Sequence, residues 1–195
     1  MRRRSSARPK TNPSAVTAAE LFVRCLEAEG VEYIFGLPGE ENLDLLDALS
    51  RSTIRFIPTR HEQGAAFMAD VYGRLTGNAG VCLATLGPGA TNLVTGVADA
   101  NMDHAPLVAI AGQASTSRLH KESHQVLDLE LMFQHITKYS SRLLSPNIIP
   151  EVVRKAFKLA QTEKTGATFI ENALIKARHA AAVSGLALPS SEPSC

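Results

Sequence analysis

Several chemistries are excluded by what this chain lacks. It has only three cysteines, Cys25, Cys82 and Cys195, with no C-x-x-C pair, and the odd number gives no disulfide framework. Two fall within apolar patterns and one is the last residue, as in reduced, cytoplasmic proteins. No apolar run approaches the length of a membrane span, and the N-terminus lacks the apolar segment of a secretory signal. A soluble, cytoplasmic protein is expected, without a membrane partner. The 20 basic and 19 acidic residues leave a net charge of +1, so no broad basic face invites nucleic acid. The six histidines do not stand at metal-ligand spacing, and no residue order singles out a Ser-His-Asp set. No metal site is expected within the chain. There is no G-x-G-x-x-G fingerprint, and the glycine-rich stretch at 87–92 lacks the Lys-Ser/Thr of a P-loop.

The 195 residues, 45% of them apolar, are enough for one good core. Residues 1–14, MRRRSSARPKTNPS, carry arginine and serine but no acid, and read as a disordered basic arm. An organellar transit peptide has similar composition, but this stretch is short and has no apolar face. Thr17 and Glu20 match a capping box that opens a helix bearing Leu21, Phe22, Cys25 and Leu26. Strands are predicted at 31–35, 54–57, 81–86, 106–111 and 167–170. Helices are expected between them, after Glu62, through Val97, near 127–133 and over 149–160. Alternation at this spacing predicts an α/β fold, a doubly wound, mostly parallel sheet with helices on both faces. The ordered domain is expected over 15–171, followed by a frayed tail at 172–195.

Two stretches near strand ends carry candidate chemistry. Glu62 lies between the strand at 54–57 and a helix whose next residues include Gly64, Ala65, Ala66 and Ala69, a face so smooth that a neighbour must approach closely. In open α/β sheets ligands bind outside the carboxyl ends of the strands. The plainer reading is that Glu62 complements the helix dipole, worth at most about 1 kcal/mol. The stretch Gly87-Pro88-Gly89-Ala90-Thr91-Asn92 is either a tight turn before a helix or a place where backbone meets a flat ligand while Asn92 offers a donor and an acceptor. The polar cluster at 120–125 reads as a loop above the sheet.

Taken together, FGLPG at 35–39, RHEQGAAFMADVYGRLTG at 60–77, GVCLATLGPGATNLVTGVADANMDHAPLVAIAGQ at 80–113 and HQ at 124–125 resemble the N-terminal pyrimidine-binding domain of thiamine-diphosphate enzymes, acetolactate synthases above all. The likeness runs over roughly 15–171, with several motifs in order. It implies that Glu62 is the catalytic glutamate hydrogen-bonded to the aminopyrimidine ring of thiamine diphosphate. It further implies that Gly39, Pro88 and Asn92 line the cofactor and that Gln125 and His124 lie near the 2-oxo acid substrate. His124 stands where many biosynthetic relatives carry Phe, so the pair is more like the catabolic, flavin-free branch, and FAD is not expected. The implied reaction is decarboxylation of pyruvate and carboligation to a second 2-oxo acid.

The departures matter as well. No Gly-Asp-Gly segment followed by Asn occurs, so magnesium and the diphosphate would be held by a separate domain. Glu40 replaces a small residue beside the cofactor loop, and 172–176 read Asn-Ala-Leu-Ile-Lys instead of a Pro-Glu/Lys-Asp segment. A chain that encloses half a site needs a partner, either a second copy in a homo-oligomer or a separate diphosphate-domain subunit, and the small-residue helix face is expected to be sticky without one. The alternatives are a catalytically inactive assembly module and a subunit of a split 2-oxo acid decarboxylase.

Overall fold

The computed structural model describes residues 16–115, 118 and 124–174. The arm at 1–14 and the end of the tail from 175 onward lie outside them. Six strands form one sheet: β1 Tyr33–Gly36, β2 Arg55–Pro58, β3 Gly80–Ala84, β4 Leu107–Gly112, β5 Tyr139–Leu143 and β6 Ala167–Asn172. All pairings are parallel, in the order β2-β1-β3-β4-β6-β5. The helices are α1 Ala18–Ala28, α2 Leu43–Leu49, α3 Glu62–Thr76, α4 Pro88–Thr91, α5 Val94–Met102, α6 Leu129–Gln134 and α7 Ile149–Gln161.

Parallel strands buried on both sides should be continuously apolar, and β3 and β4 are buried at every position. Their alternate residues divide the core in two. Ile34, Val81, Leu83, Val108, Ile110 and Ile170 meet α1, α2 and α7 on one face. Phe35, Cys82, Ala84, Ala109, Ala111 and Phe169 meet α3, α5 and α6 on the other. The expected capping box is present: the Thr17 hydroxyl accepts from the Glu20 N–H (3.1 Å), and the Glu20 carboxylate accepts from the Thr17 N–H (3.0 Å).

Three expectations need correction. β5 was not among the predicted strands, because Tyr-Ser-Ser-Arg-Leu at a sheet edge is mostly half-buried and shows no apolar run. The stretch 87–92 is not merely a loop, since Pro88–Thr91 forms a helical turn. The alanine face of α3 is no exposed patch. Ala65, Ala66 and Ala69 are fully buried in this chain's own core, while Met68, Val71 and Leu75 project outward.

Two contacts show why α3 has small residues. A Cβ at Gly96 of α5 would lie 2.6 Å from Ala66 Cβ, and one at Gly73 would overlap the carbonyl oxygen of Pro106. Helix, sheet and neighbouring helix are therefore at contact distance. The Gly73→Ala variant is expected to lose about 1–3 kcal/mol in urea unfolding through overpacking. Gly64→Ala, with nothing within 4 Å of the new methyl group, should gain about 0.5–1 kcal/mol from helix propensity. Equal effects at both positions would contradict this packing.

Candidate active site

The chain leaves β1 to one side to form β2 and returns on the other side as β3, so the carboxyl ends of β1 and β3 diverge above neighbouring strands. That is a topological switch point, where an open α/β sheet leaves a crevice. The turn after β1 is held by Asn42, fully buried, whose Oδ1 accepts from the Gly39 N–H (2.8 Å) and whose Nδ2 donates to the Leu37 carbonyl (3.4 Å). The turn after β3 passes through Thr85 and Gly87 into α4.

Glu62 is the first residue of α3, and His61 caps that helix by accepting the Gln63 N–H at Nδ1 (3.1 Å). The Glu62 residue is only 5% exposed. A buried carboxylate needs donors, and Asn92 Nδ2 donates to its Oε2 at 2.9 Å. Its other oxygen faces glycine: a Cβ at Gly89 would come within 3.2 Å of Oε1 and 2.7 Å of Thr85 Cγ2. A Cβ at Gly39 would lie 2.5 Å from Thr85 Cβ. Thr85 thus packs between the two glycine-bearing turns; a larger residue at 89 would crowd the acid, and one at 39 would clash with Thr85.

Of the residues singled out from sequence, Gly39, Glu62 and Asn92 are brought to one crevice. Pro88 is exposed at the start of α4. Gln125 comes to the same loop by its backbone, since its carbonyl oxygen occupies the space a Cβ on Gly87 would need. Both Gln125 (φ 59°) and Gly87 (φ 54°) are left-handed, a conformation uncommon outside glycine and frequent at functional sites. His124 is exposed. Glu40 is exposed at the start of a 3-10 turn, Glu40–Asn42. His120 to Ser123 lie outside the described residues. Thr85 and Asn42 were not foreseen, because their roles depend on turns separated in sequence. The G-P-G spacing was the only signal pointing at Thr85.

Among the described residues no three His, Cys, Asp or Glu side chains could hold a metal ion, and no helix is long and apolar enough to cross a membrane. The buried Cys25 and Cys82 thiols are pushed up to about 11 and about 12, chiefly by desolvation, which leaves them protonated and unreactive.

Residues 16–132 match the family described as thiamine pyrophosphate enzyme, N-terminal TPP binding domain. The chain belongs to this family. Similar proteins include a probable acetolactate synthase large subunit of Methanocaldococcus jannaschii, 46% identical over 153 residues, covering 78% of this chain and 26% of that protein. The acetolactate synthase of Bacillus subtilis is 47% identical over 152 residues (78% and 27%). The catabolic acetolactate synthase of Raoultella terrigena is 42% identical over 163 residues (84% and 29%). The chain thus spans about a quarter of the length of the curated relatives it matches. Its fold, an all-parallel sheet covered on both faces, is the one the resemblance implied.

A second acid, Glu171, lies at the end of β6 with no exposed surface. Desolvation pushes its carboxyl above the usual 4.5, and hydrogen bonds from Gln113 and Arg142, with the Arg142 charge, offset that only in part. The folded state therefore binds this proton more readily than the unfolded chain does. The stabilisation is fully present below the unfolded value near 4.5 and is lost as pH rises through the higher folded value. The melting temperature of the wild type relative to Glu171→Gln should fall as pH is raised from about 4.5 to neutral. A difference independent of pH would remove desolvation as the dominant cause.

Proposed function

We propose that this chain supplies the aminopyrimidine half of a thiamine-diphosphate site in an acetolactate synthase-like enzyme. The carrying observation is the buried Glu62 carboxyl, held on one oxygen by Asn92 and opened on the other by the glycine at 89. An acid shielded from water can share a proton with a ring nitrogen, which gives Glu62 its role. The amide of Asn92 fixes the carboxyl plane. The turns at Gly39 and Gly89, spaced by Thr85, leave room for a flat ring to approach backbone. When bound, the cofactor supplies the electron sink for decarboxylating a 2-oxo acid and joining the fragment to a second one. Gln125, next to the Gly87 turn, is the polar residue offered to the substrate, with His124 beside it. Magnesium would be held outside this chain's described residues, where no cluster suits it.

The same reading calls for a partner to close the crevice. On the outer side of α3, Met68 (42% exposed), Val71 (49%) and Leu75 (81%) follow one another at helical spacing. A stripe of that kind, on the helix that begins with Glu62, is the surface through which a second copy would pack.

Residues 16–171, exchanged for the matching region of the Bacillus subtilis relative, should give acetolactate from pyruvate with added thiamine diphosphate and magnesium. Glu62→Gln should lower turnover by about 10²-fold or more. Turnover unchanged by that substitution would remove Glu62 from the chemistry. In sedimentation velocity the chain should self-associate, and Leu75→Glu should shift it toward monomer. An unaltered distribution would free the outer stripe of that role.

A further inference from the structure

The carboxyl ends of β4, β5 and β6 carry a buried polar cluster that the proposed chemistry does not use. Glu171 Oε1 accepts from Gln113 Nε2 (2.6 Å), and its Oε2 accepts from Arg142 Nε (2.9 Å) and from the Glu130 N–H (3.0 Å). Each donor side chain also holds the segment that leads into α6. Gln113 Nε2 donates to the Leu127 carbonyl (2.9 Å), and Arg142 Nη2 donates to Asp128 Oδ1 (2.7 Å). The same Asp128 oxygen accepts the Leu131 N–H (3.4 Å) and so caps α6. Gln113 is itself oriented, its Oε1 accepting from the Ala114 N–H (2.9 Å). Glu130 adds a third carboxylate beside Arg142, 4.0 Å from its Nε.

Three consecutive strands thus grip residues 127–130. Two residues earlier the same segment meets the cofactor loop, where the Gln125 carbonyl fills the space above Gly87. Gly87 opens α4, and Gly89 and Asn92 flank Glu62. Buried ion pairs seldom add net stability over an apolar replacement, but they fix one arrangement among several. Position is what this segment needs, since left-handed Gln125 gains nothing from staying where it is unless its neighbours hold it.

We infer that Gln113, Arg142 and Glu171 are positioning residues that seat residues 124–128 against the Gly87 turn, so that the far edge of the sheet sets the geometry beside Glu62. That this geometry serves a cofactor rests on the proposed function; the mechanical coupling does not.

The test uses the full 195-residue chain, labelled with nitrogen-15, as wild type, Arg142→Met, Arg142→Lys and Gln113→Ala. In Arg142→Met the amides of Gly87, 89–92 and 127–131 should exchange about tenfold faster, while those of β1 and α1 keep their rates. The Gly87 and Asn92 resonances should shift, and Arg142→Lys should restore part of both effects. Should Arg142→Met fail to fold, Gln113→Ala is expected to give the same pattern. Changes confined to 127–143, with Gly87 and Asn92 unmoved, would overturn the inference. So would equal acceleration throughout the chain, which is lost global stability only. Calorimetry with thiamine diphosphate and magnesium, on the exchange of residues 16–171 into the Bacillus subtilis relative with and without the same substitutions, separates the two ideas. An unsubstituted exchange protein that does not bind sinks the cofactor assignment and leaves the amide-exchange result to stand or fall alone. Binding weakened severalfold in Arg142→Met supports the inference, and binding unchanged removes its relevance to the site.

Discussion

The hydrogen bond between Asn92 and Glu62 is the constraint from which most of this structure follows. A carboxylate removed from water costs several kcal/mol unless donors replace the lost hydration. Here the amide lies 30 residues away, just before α5, while the acid begins α3. Their 2.9 Å contact therefore requires α3 and α5 to lie in one fixed relation. Ala66 facing Gly96 supplies it, because a side chain that stops at a methyl group leaves no slack between the two helices. The smooth helix face that from sequence alone pointed to a partner is thus explained inside the chain.

This tightness is not shared by the whole molecule. On the α1, α2 and α7 side the core is made of Leu, Ile, Val and Phe, the composition of a face selected for buried area. On the α3 and α5 side it is largely alanine beneath the crevice, with Phe133 and Phe169 stacked at 3.9 Å only toward α6. One face carries the hydrophobic stabilisation, and the other holds backbones close and in register. A sheet so divided can keep a polar crevice at the ends of β1 and β3 without losing its core.

Much of this was legible in the sequence, for physical reasons that differ by element. β3 and β4 announce themselves because a strand buried on both faces has to be apolar throughout, and the α1 capping box because its partners lie three residues apart. Glu62 and Asn92 were visible as types at a strand end and a glycine turn, but their contact was not, since nothing local joins residues 30 apart. β5 was silent because edge position permits Ser140, Ser141 and Arg142. Thr85, Asn42 and the Glu171 cluster were silent for another reason. Their meaning lies in which loops the topology brings together, and short polar residues carry no period that reveals it.

The helix α3 then performs three tasks on three faces, each separately constrained. Its N-terminal end places the acid, whose direction the Asn92 amide fixes. Its inner face must stay small, or Glu62 would move outward with the helix. Its outer face is free of both demands, as Arg74 shows by reaching Asp70, Asp99 and Asp103 to pin the C-terminal half of α3 to α5. A helix secured at both ends and along its inner side has no folding need for apolar residues on the outside. The exposure of Met68, Val71 and Leu75 is therefore a feature that the isolated chain's stability does not account for.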